Sequence, residues 1–296
     1  GSEGLVAAGN IFMGMTESPV LIKNYLPTMN RSEIFLVMVS GMGTIAGSVM
    51  GTYIGMLGGT DPASKVLFAT HLLSASVMAV PGSIVLAKML CPQTEEATDH
   101  VAVSGKEKEN SNILDAISSG TVTGIKLMTN IAAMLLVFIS LVALANYVTE
   151  DVIGRYTGLN DWIVQISDGK AKGLTFQFIL GVITAPFMWL IGVPGQDIML
   201  VGSLLGQKTI LNEFVAYFQL QQWKDAGLFM YEKSILMSTY ILCGFANISS
   251  IGILLGGLGV LAPEKRGLIS RIGVPAMIGG ALVSVLSATI IGMILG

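Results

Sequence analysis

Long apolar runs constrain the fold of this sequence more than any other feature. A helix that crosses a bilayer needs about 20 predominantly apolar residues. The clearest runs of this kind are 32–58, 65–90, 130–148, 234–261 and 272–295. The segment 173–193 is also long enough, and its interior Pro186 predicts a kinked or tilted helix. The sequence therefore predicts an all-α polytopic membrane protein, and its low charged fraction of 12% supports that interpretation.

Polar stretches separate some of these runs, and they indicate the secondary structure of the middle of the chain. Residues 92–112 are rich in charged and small polar side chains, which indicates a solvated loop. Residues 113–129 are amphipathic, so an interfacial helix is predicted to lead into a scaffold span that ends at residue 148. Residues 149–194 are then predicted to form a charged loop, up to residue 172, followed by the kinked helix.

Two further segments are apolar but do not have the pattern of a span. Residues 3–28 are apolar on both sides of a polar centre at Thr16–Pro19, and residues 195–221 repeat that plan around Asn212 and Glu213. Each half is too short to cross a bilayer. We therefore predict two re-entrant helical hairpins, which enter the membrane and turn back.

The order of elements occurs twice, which indicates an internal repeat. The hairpin, interrupted helix and uninterrupted helix are 3–28, 32–58 and 65–90 within residues 1–91, and 195–221, 234–261 and 272–295 within residues 195–296. The interruptions fall at the glycine- and serine-containing stretches 41–48 and 243–250. Paired hairpins and broken helices in corresponding halves indicate the substrate site of a secondary transporter, because irregular backbone at membrane depth must be buried in protein or line a cavity.

Glu17 and Glu213 are the most informative side chains in this pattern. Each is an ionisable residue inside an otherwise apolar segment, and such residues usually serve function because they are costly in a membrane. The alternative is that each caps the second helix of its hairpin, where a carboxylate is favoured. Because both repeats carry one at matching positions, we predict a functional role, which capping does not exclude.

Other classes of function are disfavoured by what the sequence lacks. The net charge of −3 gives no basic surface for a nucleic acid polymer. A membrane-embedded enzyme could use Glu17, Glu213 and His71 as acid–base groups, but the sequence has no cluster of Cys and His with metal-ligand spacing. A non-transporting membrane subunit or receptor is the other alternative, and it would have no need of two carboxylates in apolar hairpins.

Several motifs carry a resemblance to a known family. Gly206-Gln207-Lys208 followed by Asn212-Glu213-Phe214-Val215-Ala216-Tyr217 resembles the signature of the concentrative nucleoside transporters. The stretches 9–12 with 16–19, 44–49, 71–76 and 244–250 are similar to the family in the same order. The resemblance covers nearly the whole chain. It implies a homotrimer in the plasma (inner) membrane, with an elevator-type transport core in each protomer. It also implies scaffold helices ahead of the first hairpin, which form the trimer interface and are absent from this sequence.

The resemblance also implies roles for particular residues. In the first hairpin, Met15, Thr16 and Glu17 would face the nucleobase, with Val49 in the next span. Glu213, Asn247 and Ser250 would hold the ribose hydroxyls, with Phe245 nearby. The implied sodium ligands are the side chains of Asn10 and Thr44 and the backbone carbonyls of Met13 and Ile45. Such hard oxygen ligands suit a hard cation.

Two of these positions predict the coupling ion and the substrate class. Proton-coupled relatives tend to lose the asparagine that Asn10 matches, so its presence favours sodium symport, and no other cofactor is expected. Most family members carry Gln where this chain has Met15, and the pair Gly14-Met15 resembles the purine-preferring branch. Met offers an adaptable apolar wall for a larger ring. We therefore expect a sodium-coupled importer of purine nucleosides, with a proton-coupled carrier of broad specificity as the alternative.

Overall fold

The computed structural model describes residues 2–95, 112–167 and 171–296, and all regular secondary structure within these ranges is helical. The chain forms two compact units. One consists of Gly1–His100 with Gln177–Gly296, and the other of Val101–Phe176.

The first unit contains two copies of a hairpin, a broken helix and a long helix. The first copy consists of α1 (Ser2–Gly9), a 3₁₀ helix (Ser18–Ile22), α2 (Arg31–Gly43), α3 (Gly47–Gly58) and α4 (Pro62–Leu90). The second copy consists of a 3₁₀ turn (Gly195–Asp197), α9 (Ile198–Ile210), α10 (Glu213–Asp225), α11 (Glu232–Leu242), α12 (Ile248–Leu261), a 3₁₀ turn (Pro263–Lys265) and α13 (Arg266–Ile294). Helices α4 and α13 each contain 29 residues, so the two copies match in their longest element. The helix α8 (Phe176–Leu190) precedes the second copy.

The second unit is also helical. It contains α5 (Ile113–Asn146), a π-helix (Tyr147–Gly154), α6 (Arg155–Thr157) and α7 (Leu159–Ile166). The side chain of Asn160 connects the π-helix to the segment before α8. Its amide nitrogen donates to the carbonyl of Glu150 at 2.9 Å, and its amide oxygen accepts from the backbone N–H of Leu174 at 2.9 Å.

Polar side chains fix where several helices begin. Asn30 and Glu33 form a capping box at the start of α2, in which each side chain accepts from the other residue's backbone N–H. Asn212 caps α10 and Asn247 caps α12 in the same manner, by accepting from a backbone N–H three residues later. These caps satisfy N–H groups that would otherwise lie unpaired at breaks in apolar segments.

Asp61 begins α4, with Pro62 as the first helical residue. Its carboxylate accepts from the backbone N–H groups of Ala63 and Ser64 and from the Ser64 hydroxyl. Hydrogen bonds from the hydroxyl and the backbone of Ser64 hold the pKa of the Asp61 carboxyl below its ordinary value. The cap therefore remains ionised at neutral pH.

The two broken helices meet at their interruptions. The backbone N–H of Phe245, between α11 and α12, donates to the carbonyl of Thr44, between α2 and α3, at 3.2 Å. Gly244 permits this approach, because a Cβ there would lie 2.8 Å from the carbonyl oxygen of Met42 and 2.8 Å from the Ser284 hydroxyl. Each interruption thus supplies part of the hydrogen bonding that the other lacks.

Two apolar cores show that the repeats exchange their second half-helices. One core joins the first hairpin to α2, α12 and α13, with Val6, Met15 and Leu254 among its members. The other joins α3 and α4 to α9, α10 and α11, with Tyr53 and Tyr217 among its members. Helix α12 therefore packs with the hairpin of the first repeat, and α3 packs with the hairpin of the second.

The fold class agrees with the sequence prediction, but three local expectations are wrong. The second limb of the first hairpin is a 3₁₀ helix followed by turns, and Pro27 cannot continue a regular helix because it lacks an N–H. Residues 113–146 form one continuous helix rather than an interfacial helix and a separate span. The polar residues up to 166 lie on short helices rather than in a loop, and the charged side chains mark exposed faces of these helices.

Three helices in the described part of the chain are long and apolar enough to cross a membrane. They are Arg31–Gly58, which includes the interruption, Pro62–Leu90 and Pro263–Ile294. The predicted broken span 234–261 consists of α11 and α12, which flank the predicted interruption and are each shorter than a full span. The predicted span 173–193 contains the 15-residue α8. The side chains of the predicted span 130–148 are described only in part. Most of the predicted loop 92–112 lies outside the described residues.

The close approach of the two helix interruptions predicts the effect of adding a single methyl group at Gly244. Gly244→Ala should lower the free energy of unfolding by about 1–3 kcal/mol, because the added methyl group collides with backbone and a buried hydroxyl. Gly51→Ala is the control, since a Cβ at Gly51 on α3 has open space around it, and alanine is the better helix former. Thermal unfolding of the purified natural full-length protein in detergent measures both. Equal stability of the two variants would contradict the tight crossing.

Candidate functional site

A buried carboxylate lies beside the point where the broken helices cross. Glu213 is the first residue of α10, and its side chain is only 7% exposed. One carboxylate oxygen accepts from the Tyr53 hydroxyl at 3.3 Å, and the other accepts from the side-chain amide of Asn247 at 2.9 Å. Glu213 is thus connected to both broken helices, through α3 of the first repeat and the start of α12 in the second.

Asn247 organises the side of this site that belongs to the second repeat. Its amide oxygen accepts from the Ser249 hydroxyl at 2.6 Å and from the backbone N–H and hydroxyl of Ser250 at 2.9 Å and 3.0 Å. Its amide nitrogen then donates to Glu213. The carbonyl of the half-buried Phe245 accepts a hydrogen bond from the backbone N–H of Asn247 at 2.9 Å. The structure therefore brings together the residues predicted to bind ribose.

The predicted base-facing residues lie at the tip of the first hairpin. Met15 is buried against α2, where a Cβ at Gly41 would lie 2.8 Å from the Met15 Cβ. Thr16 packs against α12 near Gly257. That contact lies ten residues beyond Asn247 on α12, or about 15 Å along the helix axis. Residues of the two predicted halves of the substrate site therefore lie along the same helix, α12.

Glu17 differs from Glu213 in exposure and in its hydrogen-bond partners, although their matching positions in the repeat predict similar surroundings. Its carboxylate accepts the backbone N–H of Gly14 within its own hairpin, and its side chain is exposed. It makes no side-chain cap to the 3₁₀ helix that follows it. The tight turn explains the difference, because a Cβ at Gly14 would lie 2.8 Å from the Glu17 carboxylate. Val49 is half-buried on α3 and packs with the second core.

Two of the predicted sodium ligands, Asn10 and Thr44, belong to a small network of neutral polar groups. The fully buried Asn10 donates to the Ser40 hydroxyl at 3.0 Å and accepts from the Ser18 hydroxyl at 2.6 Å. The Thr44 hydroxyl donates to the Ser40 carbonyl at 3.0 Å. Within the described residues, no group of three or more His, Cys, Asp or Glu side chains could hold a metal ion. Neutral amide, hydroxyl and carbonyl oxygens are the donor set expected for a hard monovalent cation rather than a transition metal.

A backbone contact places the two other predicted sodium ligands at the same junction. The backbone N–H of Gly47, at the start of α3, donates to the carbonyl of Phe12 in the first hairpin at 3.0 Å. Met13 follows Phe12 directly, and Ile45 precedes Gly47 by two residues. The hairpin tip and the first helix interruption are therefore held against each other where Met13 and Ile45 lie.

Two side chains near the site were not predicted from the sequence. Tyr53 is one, and only its placement on an apolar helix could have indicated a role. Lys208 is the other, and its position within the apolar second hairpin was a usable signal. Its fully buried ammonium donates to the carbonyl of Ile241 at 2.7 Å and to the Ser284 hydroxyl at 3.0 Å. Ser284 in turn donates to the carbonyl of Cys243 at 2.9 Å, so a cation stabilises the end of α11.

Comparison with known proteins identifies the family. A family model described as Na+ dependent nucleoside transporter C-terminus matches residues 71–292, about three quarters of the chain. The chain belongs to the concentrative nucleoside transporter family. It is 39% identical to Sodium/nucleoside cotransporter 1 of Rattus norvegicus over 307 residues, which covers 99% of this chain. It is 37% identical to Nucleoside permease NupC of Helicobacter pylori over 297 residues, which covers 100% of this chain. These relatives are transporters, not enzymes.

Solved structures of this family have the same fold. CNTnw in an inward-facing substrate-bound state matches 100% of this chain with a TM-score of 0.83 and 35% identity. An outward-facing state of a CNTnw variant matches 99% of it with a TM-score of 0.84. The chain spans 65% of the inward-facing CNTnw chain, 65% of NupC and 44% of the rat cotransporter.

Asn247 combines a capping function with a contact to Glu213, and two substitutions separate them. Asn247→Ala removes the cap of α12 and should cost about 0.5–2 kcal/mol of stability, whereas Asn247→Ser keeps a hydroxyl acceptor and should cost much less. Serine is too short to keep the contact with Glu213. Thermal unfolding of both variants is the measurement, and an equal loss would show that the contact with Glu213, not the cap, stabilises this region.

Proposed function

We propose that the protein is a secondary active transporter that imports purine nucleosides by sodium symport, with an alternating-access elevator mechanism. The observation that carries this proposal is the Glu213 carboxylate, buried at the crossing of two broken helices and held by Asn247 at 2.9 Å. Broken helices and an acidic group at the repeat interface are the arrangement expected at a transporter's substrate site.

The chemistry of Glu213 suits the ribose of a nucleoside. A carboxylate accepts hydrogen bonds only, and its two oxygens offer about four acceptor positions. Tyr53 and Asn247 use one on each oxygen, which leaves acceptors for ribose hydroxyls. Bonds to an ionised acceptor are about twice as strong as neutral ones. Ser250 and Phe245 complete the proposed ribose pocket with a hydroxyl and an aromatic surface.

The first hairpin would supply the nucleobase side of the pocket. Met15 and Val49 provide apolar surface, while Gly14, Thr16 and Glu17 provide the few polar groups that orient a ring. A thioether cannot hydrogen-bond the edge of a pyrimidine as a Gln amide can. This difference supports the proposed preference for purines.

Sodium is proposed as the coupling ion on two grounds. The network around Asn10 and Thr44 offers neutral hard oxygens, which Met13 and Ile45 would supplement with carbonyls. The matching family model and the rat relative both carry sodium in their descriptions. Sodium bound between the first hairpin and the first interruption would fix Met15 and Thr16 for the base, which would couple the ion to the substrate.

The proposed assembly and location follow from the family. Both inward- and outward-facing structures of CNTnw match this chain, which supports alternating access. The three long apolar helices support an integral multi-pass protein in the lipid of the plasma membrane. A homotrimer is proposed because the family resemblance implies one.

Glu213→Gln tests the proposed function directly. In vesicles that contain the natural full-length protein, an inward sodium gradient should drive uptake of labelled adenosine. The variant should lose about tenfold or more of that uptake, because a neutral amide replaces a charged acceptor. Glu232→Gln, an exposed carboxylate at the start of α11, is the control and should transport normally.

The outcomes of this assay distinguish the parts of the proposal. Normal uptake by Glu213→Gln, with equal amounts in the membrane, would reject the ribose assignment. Uptake driven only by a pH gradient would retain the carrier and reject sodium coupling. Failure of the parent protein to move adenosine under any gradient would reject the proposed function.

Met15→Gln tests the basis of the purine preference. Uridine should compete weakly with adenosine in the parent protein and strongly in the variant, because the Gln amide can bond a pyrimidine edge. Met230→Gln, at an exposed position, is the matched control. If uridine remained excluded from an otherwise active Met15→Gln protein, Met15 would not be the selecting residue.

A further inference from the structure

Tyr53 contacts the Glu213 carboxylate from the opposite repeat. It lies on α3 and is fully buried, and its hydroxyl donates to a Glu213 oxygen at 3.3 Å. This separation is longer than the usual O–H···O distance of about 2.7–2.8 Å. Hydrogen bonds in substrate-free sites are often long and shorten in the complex. The Tyr53 hydroxyl therefore reaches the Glu213 carboxylate, and this hydrogen bond can shorten when the carboxylate binds a substrate.

The ring of Tyr53 is held so that its hydroxyl cannot turn away. It stacks on Tyr217 with a centroid distance of 4.1 Å and an angle of 23° between the planes, and Phe214 packs against its edge at 6.0 Å. Both partners lie on α10, the helix that begins with Glu213. The aromatic stack therefore fixes α3 against the helix that carries the carboxylate.

This contact adds to the difference between the two repeats that the tight turn at Gly14 creates. Glu213 receives donors from two other helices, whereas Glu17 receives a backbone N–H of its own hairpin and is exposed. On α12, Leu254 holds the seventh position that Tyr53 holds on α3, and leucine has no donor. Glu213 thus has a tyrosine donor from the opposite repeat, and the corresponding position on α12 offers none to Glu17.

We propose that Tyr53 is a positioning residue that fixes the Glu213 carboxylate and so sets the preference of the site for ribose over deoxyribose. The proposal rests on the proposed function, since it assigns the ribose hydroxyls to Glu213. A pre-positioned acceptor increases the affinity for a substrate with a hydroxyl at the matching position, but not for a substrate that lacks this hydroxyl.

The position of Tyr53 on its helix also sets its spacing from a proposed base contact. Val49, the proposed contact for the base, precedes Tyr53 by four residues and lies on the same face of α3. The same rigid helix therefore carries the wall for the base and the donor that holds the ribose acceptor. The distance between the two is set by about one helical turn, or roughly 5–6 Å.

Two tyrosine-to-phenylalanine variants form a matched test. Tyr53→Phe removes the hydroxyl that faces Glu213, while Tyr217→Phe removes a hydroxyl of the same stack that donates to the Thr239 carbonyl at 2.9 Å. Dissociation constants for adenosine, 2′-deoxyadenosine and 3′-deoxyadenosine are measured on the natural full-length protein with sodium present. Uptake by the same variants separates binding from the later steps of transport.

The expected result is a change in discrimination. Tyr53→Phe should weaken adenosine about tenfold, as expected for losing a hydrogen bond to a charged group. It should weaken the deoxynucleoside that lacks the recognised hydroxyl much less, so the ratio between them falls. Tyr217→Phe should leave that ratio unchanged. Equal weakening of all three nucleosides, no weakening, or the same response from Tyr217→Phe would overturn the proposal.

A double-mutant cycle separates this proposal from the proposed function. Thermal unfolding of Tyr53→Phe, Glu213→Gln and the double variant should give non-additive shifts, because the two residues share one hydrogen bond. Additive shifts would overturn the contact whether or not nucleosides bind. Non-additive shifts in a protein that binds no nucleoside would support the contact, but would reject the specificity role together with the proposed function.

Discussion

The hydrogen bond from Phe245 to the carbonyl of Thr44 is the contact on which the rest of the transport core depends. Each broken helix gives up backbone hydrogen bonds at its interruption, and in hydrocarbon these groups have no water to satisfy them. Crossing the two interruptions allows them to supply each other, with Gly244 allowing the necessary approach. Because the helices cross, their second halves diverge into opposite repeats. This geometry places Glu213 next to side chains from both broken helices.

How far the sequence predicts this structure depends on the range of the interactions involved. Capping residues and apolar runs are local, and they placed the interruptions, the second hairpin and both long helices near their observed bounds. The short helices up to residue 166 were missed, because charged residues on an exposed helix face resemble a loop in sequence. The first hairpin was assigned too much helix, because its apolar pattern does not distinguish a 3₁₀ helix with turns from an α-helix.

The candidate site shows the same division. Asn247 and Glu213 were identified from motifs, but Glu17 was predicted to be equally important, and only tertiary structure shows that the two carboxylates differ in burial. Tyr53 was not identified, because an apolar helix contains many large side chains and its partner lies 160 residues away. Pairs at such separation leave no pattern in a single sequence. The repeat correctly indicated matching elements, yet it could not indicate which copy of a matching residue is buried.

The two helix ends at the crossing are stabilised by different charges, and this bears on where a cation can act. At the end of α11, the ammonium of Lys208 donates to the carbonyl of Ile241, and it interacts electrostatically with the Glu213 carboxylate. At the end of α2, the neutral hydroxyl of Thr44 donates to the carbonyl of Ser40, whose own hydroxyl accepts from the amide of Asn10. The negative end of a helix dipole attracts positive charge in both cases. A fixed cation satisfies that attraction in the second repeat, while in the first the described ligands are neutral. The proposed sodium site therefore lies where the fold leaves a helix end without a charge of its own, and next to the hairpin that would hold the base.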